Sequence, residues 1–364
     1  MSGTGQGFNG ICGMARQTAL ATPIQATDLV PFNSESITED PEFVDAEYLA
    51  GNAGIVDTDK VFEPVVGNID IPILYNEKVS STFKGSTLLI GAGMGQGGTW
   101  DAGSGDLQFL LDKTGFCADA NRALLTIAIE KSVALWENHG CYVNSMTISG
   151  NAKEGLNVSA DVIGYEQDRN TSSGVNTQAN LASLRTTMAG VADKVMWTDL
   201  AFYIGDTANA LIAGDGKNIS AFSLTLNNNL TEPEQATIDP TTHTEIMKTL
   251  EPVQNGMREV TCELTIPRYT ADTYLDWRSN GTRLQLEFHF VRTADSKEFH
   301  IYIPEAQITG VGAPVSGPGI VTQTISLKCL VPSHSITLFQ DNSTVVSTEF
   351  GIDTDDERSA VLWS

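Results

Sequence analysis

Residues 140–166, GCYVNSMTISGNAKEGLNVSADVIGYE, constrain the fold more than any other stretch. They read as two alternating strands joined by a polar, glycine-containing turn. On the second strand Leu156, Val158, Ala160 and Val162 point one way, and Asn157, Ser159, Asp161 and Ile163 the other. That period of two is the signature of a sheet with one buried and one wet face. The unit echoes near the C-terminal end, where PEAQITGVGAPVSGPGIVTQTISLKCLV runs strand, glycine-rich turn, strand. Such a pattern builds walls and carries no reaction chemistry of its own.

A chain of 364 residues can hold two domains, each with its own core. Its 21 basic and 45 acidic side chains leave a net charge of −24. A surface this acidic repels nucleic acid and anionic membranes and keeps concentrated protein in solution. It argues against sequence-specific DNA binding, which needs lysine and arginine on the phosphates. It leaves room for a wall along which DNA slides without sticking. Cysteines 12, 117, 141, 262 and 329 are odd in number and scattered, with no CxxC. They read as buried free thiols of a reducing compartment. The opening MSGTGQGFNG has no signal-peptide pattern, and no apolar run approaches the ~20 residues of a membrane span.

Along the chain, residues 1–60 read as an extended arm, rich in Gly, Thr, Pro and acids. Residues 61–75 turn β-like, residues 86–90 form a short strand, and residues 91–105 a glycine-rich loop. Residues 118–136, ADANRALLTIAIEKSVALW, show helical spacing: Leu124, Ile127, Ala128, Lys131 and Leu135 fall near one face. Residues 168–194 are polar and irregular, as in a linker or inter-subunit arm. Strands follow at 196–204, 218–226, 259–267, 282–291, 298–303 and 320–330, with a long acidic loop at 227–257 and a short helix at 270–276. The tail after residue 332 reads as loosely attached. The order strands, helix, strand pair occurs before residue 168 and again after 195. This implies a duplication of two β modules, 61–167 and 195–332.

The chemical motifs fail one by one. The glycines of GMGQGG, residues 93–98, match GxGxxG, but the WDAGSGD that follows cannot open the helix a dinucleotide needs. Residues 150–155 have P-loop glycine spacing without the Lys-Ser/Thr, so they are a hairpin turn. The five histidines 139, 243, 289, 300 and 334 show no zinc spacing, and no serine lies in GxSxG. His289 and His300 are expected as cross-strand neighbours in packing. Acidic residues are numerous enough for a glycosidase pair, but the five tryptophans are dispersed. No catalytic residue, metal or cofactor is expected.

Three stretches together resemble the major tail tube proteins of long-tailed, siphovirus-like bacteriophages, in the larger form with two tube-type modules. They are GICGMARQTALATP (residues 10–23), the hairpin at 140–165, and GMREVTCELTIPRYTADTYL (residues 256–275) with the strands after it. The resemblance implies a mainly β, α+β fold of sandwich or barrel modules with a flanking helix. It implies subunits that close into a ring with an inner β-barrel, stacked into a tube that conducts DNA during ejection. The implied partners are further copies of the chain, as a trimer rather than a hexamer, with tail terminator, tape measure and distal tail proteins at the tube's ends and within it. The implied location is the virion tail, assembled in the host cytoplasm. Closing a barrel through neighbours removes the unpaired edges of long amphipathic strands. In the strands expected to line it, the polar faces hold Asn157, Ser159 and Asp161; Thr261, Glu263 and Thr265; and Gln285 and Glu287. The same faces could instead point outward and serve solubility. Another virion protein, such as an adaptor or decoration subunit, and a glycan-binding or hydrolytic β module remain the alternatives.

Overall fold

A computed structural model describes residues 10–45, 55, 57–62, 64–75, 85–96, 98–101, 106–111, 123–170, 174–187, 193–231, 237–238, 245–246, 251–294, 296–315, 317–333, 336–337 and 345–355. The elements that matter begin with β1 (Ile11–Gln17), β2 (Asp28–Val30), β3 (Ser34–Glu35), β4 (Thr38–Glu39), β5 (Val65–Pro72), α1 (Gly85–Met94) and β6 (Asp106–Leu110). Next come β7 (Leu124–Glu130), β8 (Leu135–Asn151), β9 (Asn157–Gly164), β10 (Glu166–Asn170) and α2 (Gln178–Thr187). The rest are β11 (Leu200–Asp206), β12 (Ala221–Asn227), β13 (Glu259–Ile266), α3 (Thr273–Asn280), β14 (Arg283–Arg292), β15 (Lys297–Gly312), β16 (Gln323–Cys329) and β17 (Gly351–Asp355).

The fold is mainly β, as the alternation predicts. Antiparallel pairing runs without a break from β3 and β4 through β5, β9, β8, β12, β13 and β16 to β15. Both halves of the chain therefore share one sheet, and a single chain does not close it into a barrel. The long strands β8 and β15 change partners midway. The first part of β8 lies between β7 and β10, its second part between β9 and β12. The turn-over in β8 falls at Gly140, whose φ is 64°. A Cβ there would sit 2.6 Å from Tyr165 and 2.7 Å from the Leu20 carbonyl, so only glycine fits the bend.

The two halves of the sheet repeat one pairing pattern. The first part of β15 lies between β14 and β17, as that of β8 lies between β7 and β10. In β8 two residues, His139 and Gly140, bulge opposite Thr126; in β15 Pro304 and Glu305 bulge opposite Gln285. A second bulge, Asn144 against β9, recurs as Thr309 against β16. Two bulges at matched places in matched strands pin the register, because bulges are built features and not slips. Thus β5, α1, β7, β8 and β9 correspond to β13, α3, β14, β15 and β16. One apolar core runs behind both repeats, with α1 residues Leu88, Leu89 and Ile90, strand residues Ile148, Val158, Leu224 and Cys262, and an aromatic group of Phe222, Phe288 and Phe290, all buried.

Several expectations differ from the structure. Residues 124–130 of the expected helix form a strand in which every side chain is buried. A run apolar on both faces also satisfies helical spacing, and β7 is covered by β1 and β8 along its edges. Conversely, the expected strand at 86–90 and the start of the glycine-rich loop form α1. Its Gly93 lies against Met146, where a Cβ would be 2.9 Å from Sδ. Within the expected N-terminal arm, β1 is a mostly buried sheet strand. In the expected linker, β10 continues the sheet and α2 buries Leu181 against Ala26, Ala128 and Leu135. In the tail expected to be loose, β17 pairs with β15 and β6. The described parts of the long loop form hairpin ladders, Leu230↔Gln254 and Thr237↔Ile246. Residues 232–236, 239–244 and 247–250 of that loop, and residues 112–122, lie outside the described residues.

Candidate functional site: a polar face across the joined repeats

The joined sheet has one face in the core and one polar face. Alternation along β9, β12, β13 and β16 places Val158, Ala160, Leu224, Cys262, Leu264, Ile325 and Leu327 inward, all buried. The residues between them line up across the sheet. One row reads Asp70, Ser159, Thr147, Thr225, Thr261 and Lys328. A second reads Asn157, Ser149, Ser223, Glu263 and Ser326. The third holds Asn68, Asp161, Ser145, Asn227 and Glu259. Short hydroxyl and amide side chains dominate, and they tie neighbouring strands together. Asn68 donates to Asp161 (2.9 Å) and to Ser159 (2.8 Å), Ser145 donates to Asp161, and the Thr147 and Thr225 hydroxyls meet at 3.0 Å.

Six of the eight polar-face residues named from the sequence lie on this face: Asn157, Ser159, Asp161, Thr261, Glu263 and Thr265. Asp161 and Glu263 are exposed, while Asn157 and Ser159 are half-buried. The two acids occupy matched cross-strand pairs: Asn68↔Asp161 in the first repeat corresponds to Glu263↔Ser326 in the second. The carboxylate has changed strand but kept its place. Glu287 is the correction. It is 1% exposed, as Gln285 is 4%, because β14 is flanked by β11 and β15 in a part of the fold that is covered on both faces. The sequence reading passed over Asp70, Ser145, Thr147, Ser223, Thr225 and Glu259, although VGNID and AFSLTLN carry the same alternation. Charge on the face comes from Asp70, Asp161, Glu259 and Glu263 against Lys328, which meets Glu259 at 2.8 Å. Both partners of that pair are half exposed, so it adds little stability.

Other polar clusters are structural in their geometry. His289 and His300 are directly paired across β14 and β15, with ring centroids 3.9 Å apart. The Glu298 carboxylate bridges their Nε2 atoms at 3.1 and 2.8 Å, and Tyr302 meets His300 Nδ1. Burial and the neighbouring His300 push the His289 imidazole down to about 4. The hydrogen bond from His300 lowers Glu298 in turn. This trio, and Glu137 with His139 and Asp168, are the groups among the described residues close enough to share a metal ion. In the second, Glu137 already accepts from the backbone and side chain of Asn176. Cys12, Cys141, Cys262 and Cys329 are buried free thiols, and burial pushes Cys141 up to about 12. They are inert core residues. Gly93 lies in the last turn of α1 and Gly95 just beyond it, at the C-terminal end where the helix dipole is negative and repels a phosphate. No helix among the described residues is long and apolar enough to cross a membrane.

The family model for phage tail tube proteins matches residues 7–329, nearly all of this two-repeat sheet. The chain belongs to that family. As a tail tube protein it is a structural component of a bacteriophage virion, part of the tail. No curated protein sequence matches it. Among solved structures it is similar to one titled "Crystal structure of Hcp protein", at 16% identity and a TM-score of 0.23, covering 35% of this chain and 86% of that one.

Proposed function

We infer that this chain closes with further copies of itself into rings that stack into a tube, and that the polar face lines the channel through which DNA passes. The observation that carries this reading is the unbroken polar face, shared by two repeats and backed by one core. Each repeat contributes four strands to it: β3/β4, β5, β9 and β8 in the first, and β12, β13, β16 and β15 in the second. Three copies would set about 24 strands side by side at about 4.8 Å each, a circumference of roughly 115 Å and a backbone diameter of roughly 37 Å before tilt widens it. That leaves a lumen for a DNA duplex. Three copies of a two-repeat chain give a threefold ring with near-sixfold walls, closed by heterologous contacts.

The wall chemistry suits passage without binding. Four carboxylates against one ammonium repel phosphates over about 8 Å at physiological salt, and the hydroxyl rows offer no cation to hold a strand. The two repeats, the first extended from 61–167 to take in β3 and β4 and the second at 195–332, are then tube units, with the hairpin at 227–257 reaching toward a neighbouring ring. Terminator, tape measure and distal tail proteins would meet the tube's ends and lumen, after assembly in the host cytoplasm. Negative-stain microscopy of the purified, concentrated protein tests the reading. Long tubes of uniform width are expected; monodisperse globular particles under all assembly conditions would overturn it.

A further inference from the structure

We propose that the ring closes by one specific strand pairing: the outer edge of β15 and the residues just after it, Gly310 to Val315, against the outer edge of β3 and β4, from Glu35 to Asp40, of the next copy. The proposal rests on the ring reading above and adds the surfaces and their register.

The internal junction between the repeats supplies the template. There β12 of repeat two pairs with β13 of its own repeat along one edge and with β8 of repeat one along the other. The counterpart of β12 in repeat one is β3 with β4. Ser34↔Asp70 and Thr38↔Val66 match Ala221↔Thr265 and Thr225↔Thr261. The capping contact is reproduced too, since Asn33 N–H donates to the Asp70 carbonyl as Ser220 N–H donates to that of Thr265. The counterpart of β8 is β15. Within the described residues, therefore, the edge of β15 beyond the Thr309 bulge and the outer edge of β3/β4 are the two sides of a junction whose other example is filled.

Carrying the register over gives the pairs. Ser145↔Asn227, Met146↔Leu226, Thr147↔Thr225, Ile148↔Leu224 and Ser149↔Ser223 become Gly310↔Asp40, Val311↔Glu39, Gly312↔Thr38, Ala313↔Ile37 and Pro314↔Ser36. Two independent features fit this register. First, Asn228 N–H donates to Asn144 O and Ala152 N–H to Ser220 O, so even-numbered residues of β8 aim their amides at β12. Pro314 corresponds to odd-numbered Ser149, the one parity at which a missing N–H costs the junction nothing. Second, Ile37 corresponds to Leu224, whose amide faces the junction. In the single chain the Ile37 amide is held by the Glu35 carboxylate at 3.2 Å and its carbonyl accepts from Gln167 Nε2 at 3.4 Å; a partner carbonyl can replace the first contact, and the second leaves the carbonyl one lone pair for a partner amide. Beside this edge Val315 is 76% and Ile320 70% exposed, as apolar side chains awaiting cover would be. At Pro41, the counterpart of Asn228, the ladder would lose the template's last bond, from Asn228 N–H to Asn144 O, because proline has no N–H.

Thr147 and Thr225 form a non-hydrogen-bonded pair, in which Cα atoms lie about 4.5 Å apart, within disulfide range. The variant carrying Thr38→Cys and Gly312→Cys should therefore cross-link between copies once assembled and oxidised, giving a ladder on non-reducing gels that stops at the ring. Thr38→Cys with Ala313→Cys, one residue out of register and on the opposite face, should stay monomeric, as should the wild type. Tubes that form yet give no cross-link with the first pair, or give as much with the second, overturn the pairing while leaving the tube reading intact. Absence of wild-type tubes would instead remove the reading beneath it. If the double variant does not assemble, amide hydrogen exchange on wild-type tubes decides. Protection of Ile37, Val311 and Ala313 on assembly is expected, and unchanged exchange at all three would overturn the pairing.

Discussion

On the proposal that the polar face lines the channel, replacing Asp161 and Glu263 together with lysine should turn a wall that lets DNA pass into one that holds it. Per chain, the face now carries Asp70, Asp161, Glu259 and Glu263 against Lys328, a formal −3; after substitution it has two carboxylates against three ammonium groups, a formal +1. Each phosphate that the wall neutralises adds about 0.9 to the slope of log affinity against log salt, so four neutralised phosphates would make binding fall roughly 150-fold between 50 and 200 mM salt. The fold should survive. Glu263 is exposed, and Asp161 gives up only its hydrogen bonds from Asn68 and Ser145, about 1–2 kcal/mol and a few degrees of melting temperature. The assay co-assembles tubes with labelled duplex, sediments them across a salt series and treats the pellet with nuclease. Salt-sensitive retention of nuclease-resistant DNA by the variant, absent in the wild type, is expected. DNA that is retained but fully digested would place this face outside the tube and refute the reasoning.

Glu287→Lys should behave oppositely to the pair above, giving insoluble or unfolded protein, because the site is 1% exposed and a buried unpaired ammonium costs about 3–5 kcal/mol; soluble expression at wild-type yield would contradict it. Gly67→Ala should lower the melting temperature and weaken assembly, since Gly67 has φ 154° and a Cβ would lie 2.5 Å from Ile37 Cα, backbone that cannot yield without shifting the β3/β4 edge. Stability should fall as pH drops from about 6.5 through about 4: His289 and Glu298 are both held below their ordinary values, so the unfolded chain binds more protons there. His289→Gln should flatten the His289 part of that slope in denaturant titrations. Shortening residues 232–252 to a tight turn should leave soluble β-rich protein that forms rings or monomers without long tubes, as scored by microscopy.

The sheet was legible where one face is wet. Along β9, β12, β13 and β16 the alternation survives because solvent meets every second residue, and the acids of the polar face follow from it. It failed where both faces are covered. Residues LLTIAIE are buried throughout as β7, and five of the seven are apolar, on both faces of the strand, so period two and period 3.6 fit equally well. Gln285 and Glu287 keep a polar alternation in β14 that no longer reports exposure. In α1 the composition STLLI favours a strand, and the packing of Gly93 on Met146 overrides it. The repeated pairing pattern was legible only as an order of elements, because it is marked by two bulges per long strand and not by shared residue types.

The most direct test is a helical reconstruction of the assembled tube at side-chain resolution. The account predicts three chains per ring, near-sixfold walls, Asp161 and Glu263 facing the channel, and β15 of each chain beside β3 and β4 of the next. Six whole chains per ring, or a channel lined by any other face of the sheet, would contradict it.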